Sequence, residues 1–207
     1  MRDDIIGILR GNVSDRVIEA MWRVPRELFV PRRIRHTAYE DRPLPIGEGQ
    51  TISAPHMVAM MCDLLEIAEG MKVLDVGTGS GYHAAVIADL VGPEGQVYSI
   101  ERIPELVLFA KKNLEAAEVK NVTVLQGDGS RGLPEYAPYD RINVAATAPK
   151  IPEPLKEQLK VGGKLVIPVG SCYQELVLVE RTQEGFELEH HGGVVFVPLV
   201  GDHGFHI

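Results

Sequence analysis

Residues 72–81 read KVLDVGTGSG, and YHAAVIADLV follows directly. A short apolar run ends at Val76, glycines alternate at Gly77, Gly79 and Gly81, and an apolar helical pattern then begins. The succession predicts a buried strand, a tight turn and a helix. Glycines at such a junction let the backbone turn sharply and approach a ligand beneath the helix N-terminus. The spacing is G-x-G-x-G, whereas the dinucleotide fingerprint is G-x-G-x-x-G and a phosphate-binding loop ends in G-K-[ST]. The turn therefore points to a nucleotide-like ligand without a phosphate-binding signature.

Reading on from this unit, GQVYSIE predicts a strand, PELVLFAKKNLEAA a helix, NVTVLQGDG a strand, YDRINVAA a strand, PEPLKEQLK a helix and GGKLVIPVG a strand. Strands separated by connections of this length form right-handed crossover units on a parallel sheet. QELVLVERT, GFELEHHGG and VVFVPLVG then carry strand patterns with no helix between them, which suits an antiparallel hairpin closing one edge. Upstream, Val17, Ile18, Met21 and Val24 fall at helical spacing behind Ser14 as N-cap, and Pro25 stops the run. A second helix is expected from about Pro55 to Glu66, with Ser53 as its possible cap.

The chain has 207 residues and a net charge of −8, which suits one α/β unit and argues against a general nucleic-acid binder, whose phosphate contacts need a basic surface. Arg23, Arg26, Arg32, Arg33 and Arg35 form a local exception and are read as a solvated face. Cys62 and Cys172 lie far apart, outside any metal or disulfide spacing. His190, His191, His203 and His206 also lack a ligand spacing, so no metal is expected. With no signal peptide and no bilayer-length apolar run, a cytoplasmic location is expected.

Two further acids accompany the glycine turn at successive strand ends. Glu101 lies 24 residues beyond Gly77, where a carboxylate can accept from both hydroxyls of a ribose. Asp128, between Gly127 and Gly129, can accept from an exocyclic amine of adenine. With Asp75 these acids make a site poor for a diphosphate and suited to a cationic adenosine derivative. S-adenosylmethionine, a sulfonium, fits best. The arrangement resembles the class I methyltransferases, and that resemblance implies a doubly wound, mostly parallel sheet of strand order 3-2-1-4-5-7-6 with an antiparallel final hairpin and an N-terminal helical cap. The expected division is 1–54 for the cap and substrate-site loop, 55–170 for the cofactor-binding core and 171–207 for the last strands and tail.

The methyl acceptor is narrowed by chemistry. An N/D-P-P-Y/F motif of amine methylation is missing after the fourth strand, which ends VAATAP, and no set of metal ligands assembles. A carboxylate, with a pKa of about 3.5, is already a nucleophile at neutral pH and needs only orientation and exclusion of water. Residues 49–57, GQTISAPHM, offer Thr51, Ser53 and a helix N-terminus for that purpose. This stretch, with VLDVGTGSGYH, YSIER, GDG, GGKLVIPVG and VVFVPLVG, resembles the protein-L-isoaspartate (D-aspartate) O-methyltransferases from about Pro43 to Gly201.

The resemblance implies methyl transfer to the misplaced carboxyl of L-isoaspartyl residues in damaged proteins, with S-adenosyl-L-homocysteine as product, and leaves open whether D-aspartyl residues are also accepted. The methyl ester then closes to a succinimide that can reopen as aspartate. It also implies that Ser53 is the catalytic position, and that Thr51, Ile52, Ser53, His56, Val197, Pro198 and Leu199 line the peptide cleft. Asp75, Gly77, Thr78, Gly79, Ser80, Gly81, Glu101, Arg102, Gly127, Asp128 and Gly129 would hold the cofactor. Damaged proteins and peptides are the expected partners, without nucleic acid or membrane, and the working unit is taken as a monomer. DRINVAATAP departs from the family's usual DAIIVTAAAP by carrying Arg141 and Asn143 in a strand expected to be buried. Two other readings stay open: a methyltransferase of RNA or small molecules that uses the arginine segment, and an adenosine-binding module without catalysis.

Overall fold

A computed structural model describes Gly7 and residues 9–206; the remaining terminal positions of the expected cap and tail lie outside the described residues. Helix α1 (Asp15–Arg23) follows the N-cap Ser14 and buries Val17, Ile18 and Met21. The Ser14 backbone N–H donates to Asp63 Oδ1 at 3.0 Å and ties α1 to α2 (Pro55–Leu64). Between them, β1 (Leu44–Gly47) and β2 (Gln50–Ile52) form an antiparallel ribbon. Its turn residues Glu48 and Gly49 both have positive φ, as tight hairpins require. The stretch GQTISAPHM thus begins in the hairpin turn, supplies β2 and leads into α2.

The main sheet starts with β3 (Lys72–Val76), and the doubly wound pattern follows: α3 (Tyr82–Val91), β4 (Gln96–Glu101), α4 (Pro104–Ala116), β5 (Val122–Gln126), β6 (Tyr139–Val144), α5 (Glu153–Glu157) and β7 (Leu159–Gly170). Strands β3 to β7 run parallel. One core packs α1 to α4 on one face, around Ile18, Val58, Ile87 and Leu106. The other face is covered by Leu133, Leu155 and Leu199 from shorter elements. β8 (Gln174–Arg181) and β9 (Phe186–Val194) complete seven strands in the order β5-β4-β3-β6-β7-β8-β9.

The expected order 3-2-1-4-5-7-6 is therefore corrected at its end to 3-2-1-4-5-6-7, counting β3 as the first strand. The reason is the connection. Gly170 pairs directly with Gln174 across residues 171–173, so β8 folds straight back onto β7 and cannot leave a place for another strand. Gly170 has φ 133°, and a Cβ there would lie 1.9 Å from the Tyr173 carbonyl oxygen, so the turn depends on glycine. VVFVPLVG is also corrected: it is not a hairpin strand but an extended segment hooked onto the exit of β6. Leu199 N–H donates to Thr147 O and Thr147 N–H to Val197 O, at 2.7 and 2.8 Å. Pro198 between them has no N–H to continue a ladder.

The two departures in β6 have partners. Asn143 sits beside Asp75 in the strand register and donates to its Oδ1 at 2.7 Å. Arg141 is buried and gives its Nε to Leu65 O at the end of α2. The strand is buried, and both polar side chains are used inside it. The arginine segment also divides. Arg32, Arg33 and Arg35 are exposed and Arg23 pairs with Asp89, but Arg26 is fully buried, which corrects its reading as solvated.

Candidate active site

The glycine turn leaves β3 at the carboxyl edge of the sheet and lines a cleft through Gly77, Thr78, Gly79 and Ser80. Gly81 does a different job. It caps α3 with φ 87°, and a Cβ there would press on Leu114 and Ala110 at 3.3 and 3.4 Å, so it permits close packing of α3 on α4. Glu101, at the end of β4, is 7% exposed and lines the same cleft. Its Oε2 accepts from Gly79 N–H and its Oε1 from Ile103 N–H, each at 3.0 Å. Each carboxylate oxygen keeps a further lone pair, so Glu101 can hold the turn and still accept from a ligand.

Beneath the turn runs a buried polar chain. Thr78 Oγ1 and Ser99 Oγ are 2.6 Å apart, and Ser99 donates to Asp75 Oδ2 at 2.6 Å. Asn143 Nδ2, bound to Asp75 Oδ1, also lies 3.2 Å from His83 Nδ1, and His83 Nε2 lies 3.4 Å from Cys62 Sγ. Burial pushes the Asp75 pKa up and the nearby Glu101 charge adds to that, while Ser99 and Asn143 oppose it. Burial, with the Arg26 charge, pushes His83 down to about 3, so its ring is neutral. Asp75 thus braces the turn from below and does not line the cleft.

His83 makes stability depend on acid in a defined direction. Its folded pKa is depressed, so below the ordinary histidine value of about 6.5 the unfolded chain binds a proton that the fold refuses. Stability is lost as pH falls from there. Between pH 7 and pH 5 the loss assigned to this group is about 2 kcal/mol. Denaturant titrations of the wild type and His83→Gln at both pH values measure it as the difference between their pH responses; equal responses would refute the neutral-histidine assignment.

Asp128 also stands behind the cleft wall. Its Oδ1 accepts from the N–H and hydroxyl of Ser130, at 2.9 and 2.6 Å, and its Oδ2 from Asp202 N–H at 2.9 Å. Burial works to raise its pKa, but these bonds and the Arg131 charge hold it below the usual carboxylate range. Gly129 lines the cleft; Gly127 and Gly81 do not. Arg102 is at the mouth, and Ile100, Ile103, Leu106 and Leu199 give an apolar wall. Ser80 Oγ is buried and has no hydrogen-bond partner. An orphaned hydroxyl, a glycine cradle, an acid with free lone pairs and an apolar wall fit an adenosine ligand such as S-adenosylmethionine. Among the described residues no group of three His, Cys, Asp or Glu side chains is arranged to hold a metal, and no helix is long and apolar enough to cross a membrane.

A second groove runs past β8 and the 193–197 segment. It is lined in part by His56, Met57, Tyr173 and Phe196. The two clefts share Thr51, Ser53, Ala145 and Val197. Ile52, Pro198 and Leu199 line only the first, and His56 only the second. Ser53 is not the helix cap: Pro55 opens α2, Ala54 holds the cap position, and Asp41 Oδ1 accepts from His56 N–H at 3.0 Å. The Ser53 hydroxyl makes no hydrogen bond to a described residue, while Asp41 also holds His56 Nδ1 at 2.8 Å. Sequence reasoning missed Ala145 and Ala146, although the strand-end rule that selected Glu101 applies equally to the exit of β6.

The model of the family described as "Protein-L-isoaspartate(D-aspartate) O-methyltransferase (PCMT)" matches residues 3–204. A protein-L-isoaspartate O-methyltransferase of Methanothrix thermoacetophila is 64% identical over 204 residues, covering 99% of this chain and 97% of the relative. A solved protein-L-isoaspartate O-methyltransferase superposes with a TM-score of 0.90 at 32% identity, covering 99% of this chain and 67% of that one. A Plasmodium falciparum protein assigned to the same enzyme class, solved with S-adenosyl-L-homocysteine, gives 0.85 at 28% identity, covering 95% and 97%. The glycine turn, the serine loop and the hooked final segment that build the two clefts all fall inside these matches, and the chain belongs to the protein-L-isoaspartate(D-aspartate) O-methyltransferase family.

Proposed function

We propose that this chain transfers a methyl group from S-adenosylmethionine to the free carboxyl of L-isoaspartyl residues in damaged proteins. One observation carries the reading: a cleft that fits the methyl donor and a groove that fits an extended peptide meet at Ser53, whose hydroxyl has no hydrogen-bond partner among the described residues. When bound, the cofactor supplies an electrophilic methyl on a cationic sulfur. The chain's own task is to bind, orient and dry the acceptor. Gly77 to Ser80, Glu101, Arg102 and Gly129 take the cofactor, with Asp75, Gly81, Gly127 and Asp128 bracing that wall. Thr51, Ser53, His56 and Val197 take the peptide, while Ile52, Pro198 and Leu199 belong to the donor cleft. An acceptor carboxylate held between Thr51 and Ser53 would face that methyl already ionised, and the electron pair of the carbon–sulfur bond would return to sulfur on transfer. No proton moves, so Ser53 needs only to donate a hydrogen bond that fixes the acceptor.

Residues 1–207 act as one methyltransferase unit in this reading, and a monomer suffices because both clefts lie within one chain. A cytoplasmic setting belongs to the same reading. The test offers methyl-labelled S-adenosylmethionine with matched peptides containing isoaspartate, aspartate or no acid, and with RNA. Base-labile label confined to the isoaspartyl peptide is the expected result. Label on RNA, or cofactor binding without transfer, contradicts it.

A further inference from the structure

Arg26 is one of the largest fully buried side chains, at 0% exposure, yet among the described residues it forms no ion pair. Its Nε donates to Ala38 O and its Nη2 to Ser53 O, both at 2.7 Å. Nη1 is buried without a hydrogen-bond partner. The Tyr82 ring lies against the guanidinium, its centroid 4.8 Å from Cζ, and Tyr82 in turn lines the donor cleft. Burying a cation with one donor left unmade is unfavourable, and an apolar side chain would fill the same space without that cost. What the guanidinium adds is a rigid planar fork that holds two carbonyls from separate segments in fixed relation.

Ser53 is where that fixation counts. Among the described residues its hydroxyl has no hydrogen-bond partner, so what places the group between the clefts is its backbone, and the backbone is held from behind by Arg26. We propose that Arg26 is a positioning residue for methyl transfer: it locks the Ser53 carbonyl against Ala38 and so aims the Ser53 hydroxyl at the junction of the two clefts. The inference rests on the assignment of Ser53 made above. Arg26 touches neither cleft directly and acts only through Ser53 and Tyr82.

The decisive experiment is a double-mutant cycle of Arg26→Lys and Ser53→Ala, read as kcat with isoaspartyl peptide and as cofactor Kd. Lysine keeps the charge but cannot reproduce the fork. Arg26→Lys alone is expected to lower kcat about tenfold to a hundredfold, the effect of a displaced contact, with cofactor Kd within about threefold. Placed on Ser53→Ala, the same change should lower kcat by less than about threefold, because the group it aims is gone. Arg26→Gln, whose amide nitrogen stands where Arg26 Nε does and so can keep the Ala38 contact but not the Ser53 one, provides a second variant with the same expected loss if the lysine form does not fold. A wild-type kcat in Arg26→Lys, an equal loss on both backgrounds, or cofactor affinity falling in parallel with kcat overturns the proposal. A fully active Ser53→Ala instead removes the assignment of Ser53 and leaves Arg26 a structural residue.

Discussion

Ser53→Ala is expected to lower kcat on isoaspartyl peptide by about tenfold to a thousandfold, the range for losing one oriented donor at a reacting group. Stability should change by less than about 0.5 kcal/mol, as for a surface substitution away from any cap. The pairing of these two results is the informative part. A serine that capped α2 would cost about 0.5–2 kcal/mol on truncation, but here Ala54 occupies that position and Asp41 supplies the carboxylate to the first turn. Steady-state rates and denaturant midpoints on the same preparations separate the roles. A stability loss with an unchanged rate would return Ser53 to a capping role.

Glu101→Ala is expected to weaken S-adenosylmethionine by roughly 1.5–3 kcal/mol, the size of a lost charged hydrogen bond, or about tenfold to 150-fold in Kd. The geometry supplies two reasons. The carboxylate has lone pairs left for a ribose, and it fixes the turn by accepting from Gly79 and Ile103. At saturating cofactor the rate should change less than the affinity, since Glu101 lies at the end of β4 and is not among the residues shared with the peptide groove. Titration calorimetry of both proteins measures the difference. Unchanged affinity would mean that the acid serves the turn alone.

The parts of the fold that rest on local pattern were legible. Lys72–Val76, the glycine turn and Tyr82–Val91 follow from a strand period, alternating glycines and a helical period in immediate succession. The end of the sheet was misjudged because a strand order taken from resemblance outweighed a three-residue turn that forces neighbours to pair. The Ser53 cap was also decidable from sequence, since proline favours the first helical position and thereby sets Ala54 as the cap. Other features needed the third dimension. Asp41 reaches His56 from 15 residues away, and nothing local separates buried Arg26 from its exposed neighbours. Asn143 looked anomalous in a buried strand until the register placed it beside Asp75, which also faces Ser99 on the other side.

The most direct test of the central claim, that this site orients an acceptor already ionised, is the pH dependence of the chemical step. Single-turnover rates would be measured from pH 6 to pH 8 with cofactor and isoaspartyl peptide saturating, for the wild type and His56→Gln. A carboxylate acceptor is ionised throughout that range. His56 is paired with Asp41 and lines the peptide groove, not the donor cleft, and an ionised acceptor asks no proton of it. Both proteins should give nearly flat profiles. A wild-type profile with an acidic limb that disappears in His56→Gln would make His56 a general base and the acceptor a hydroxyl or an amine, contradicting the account.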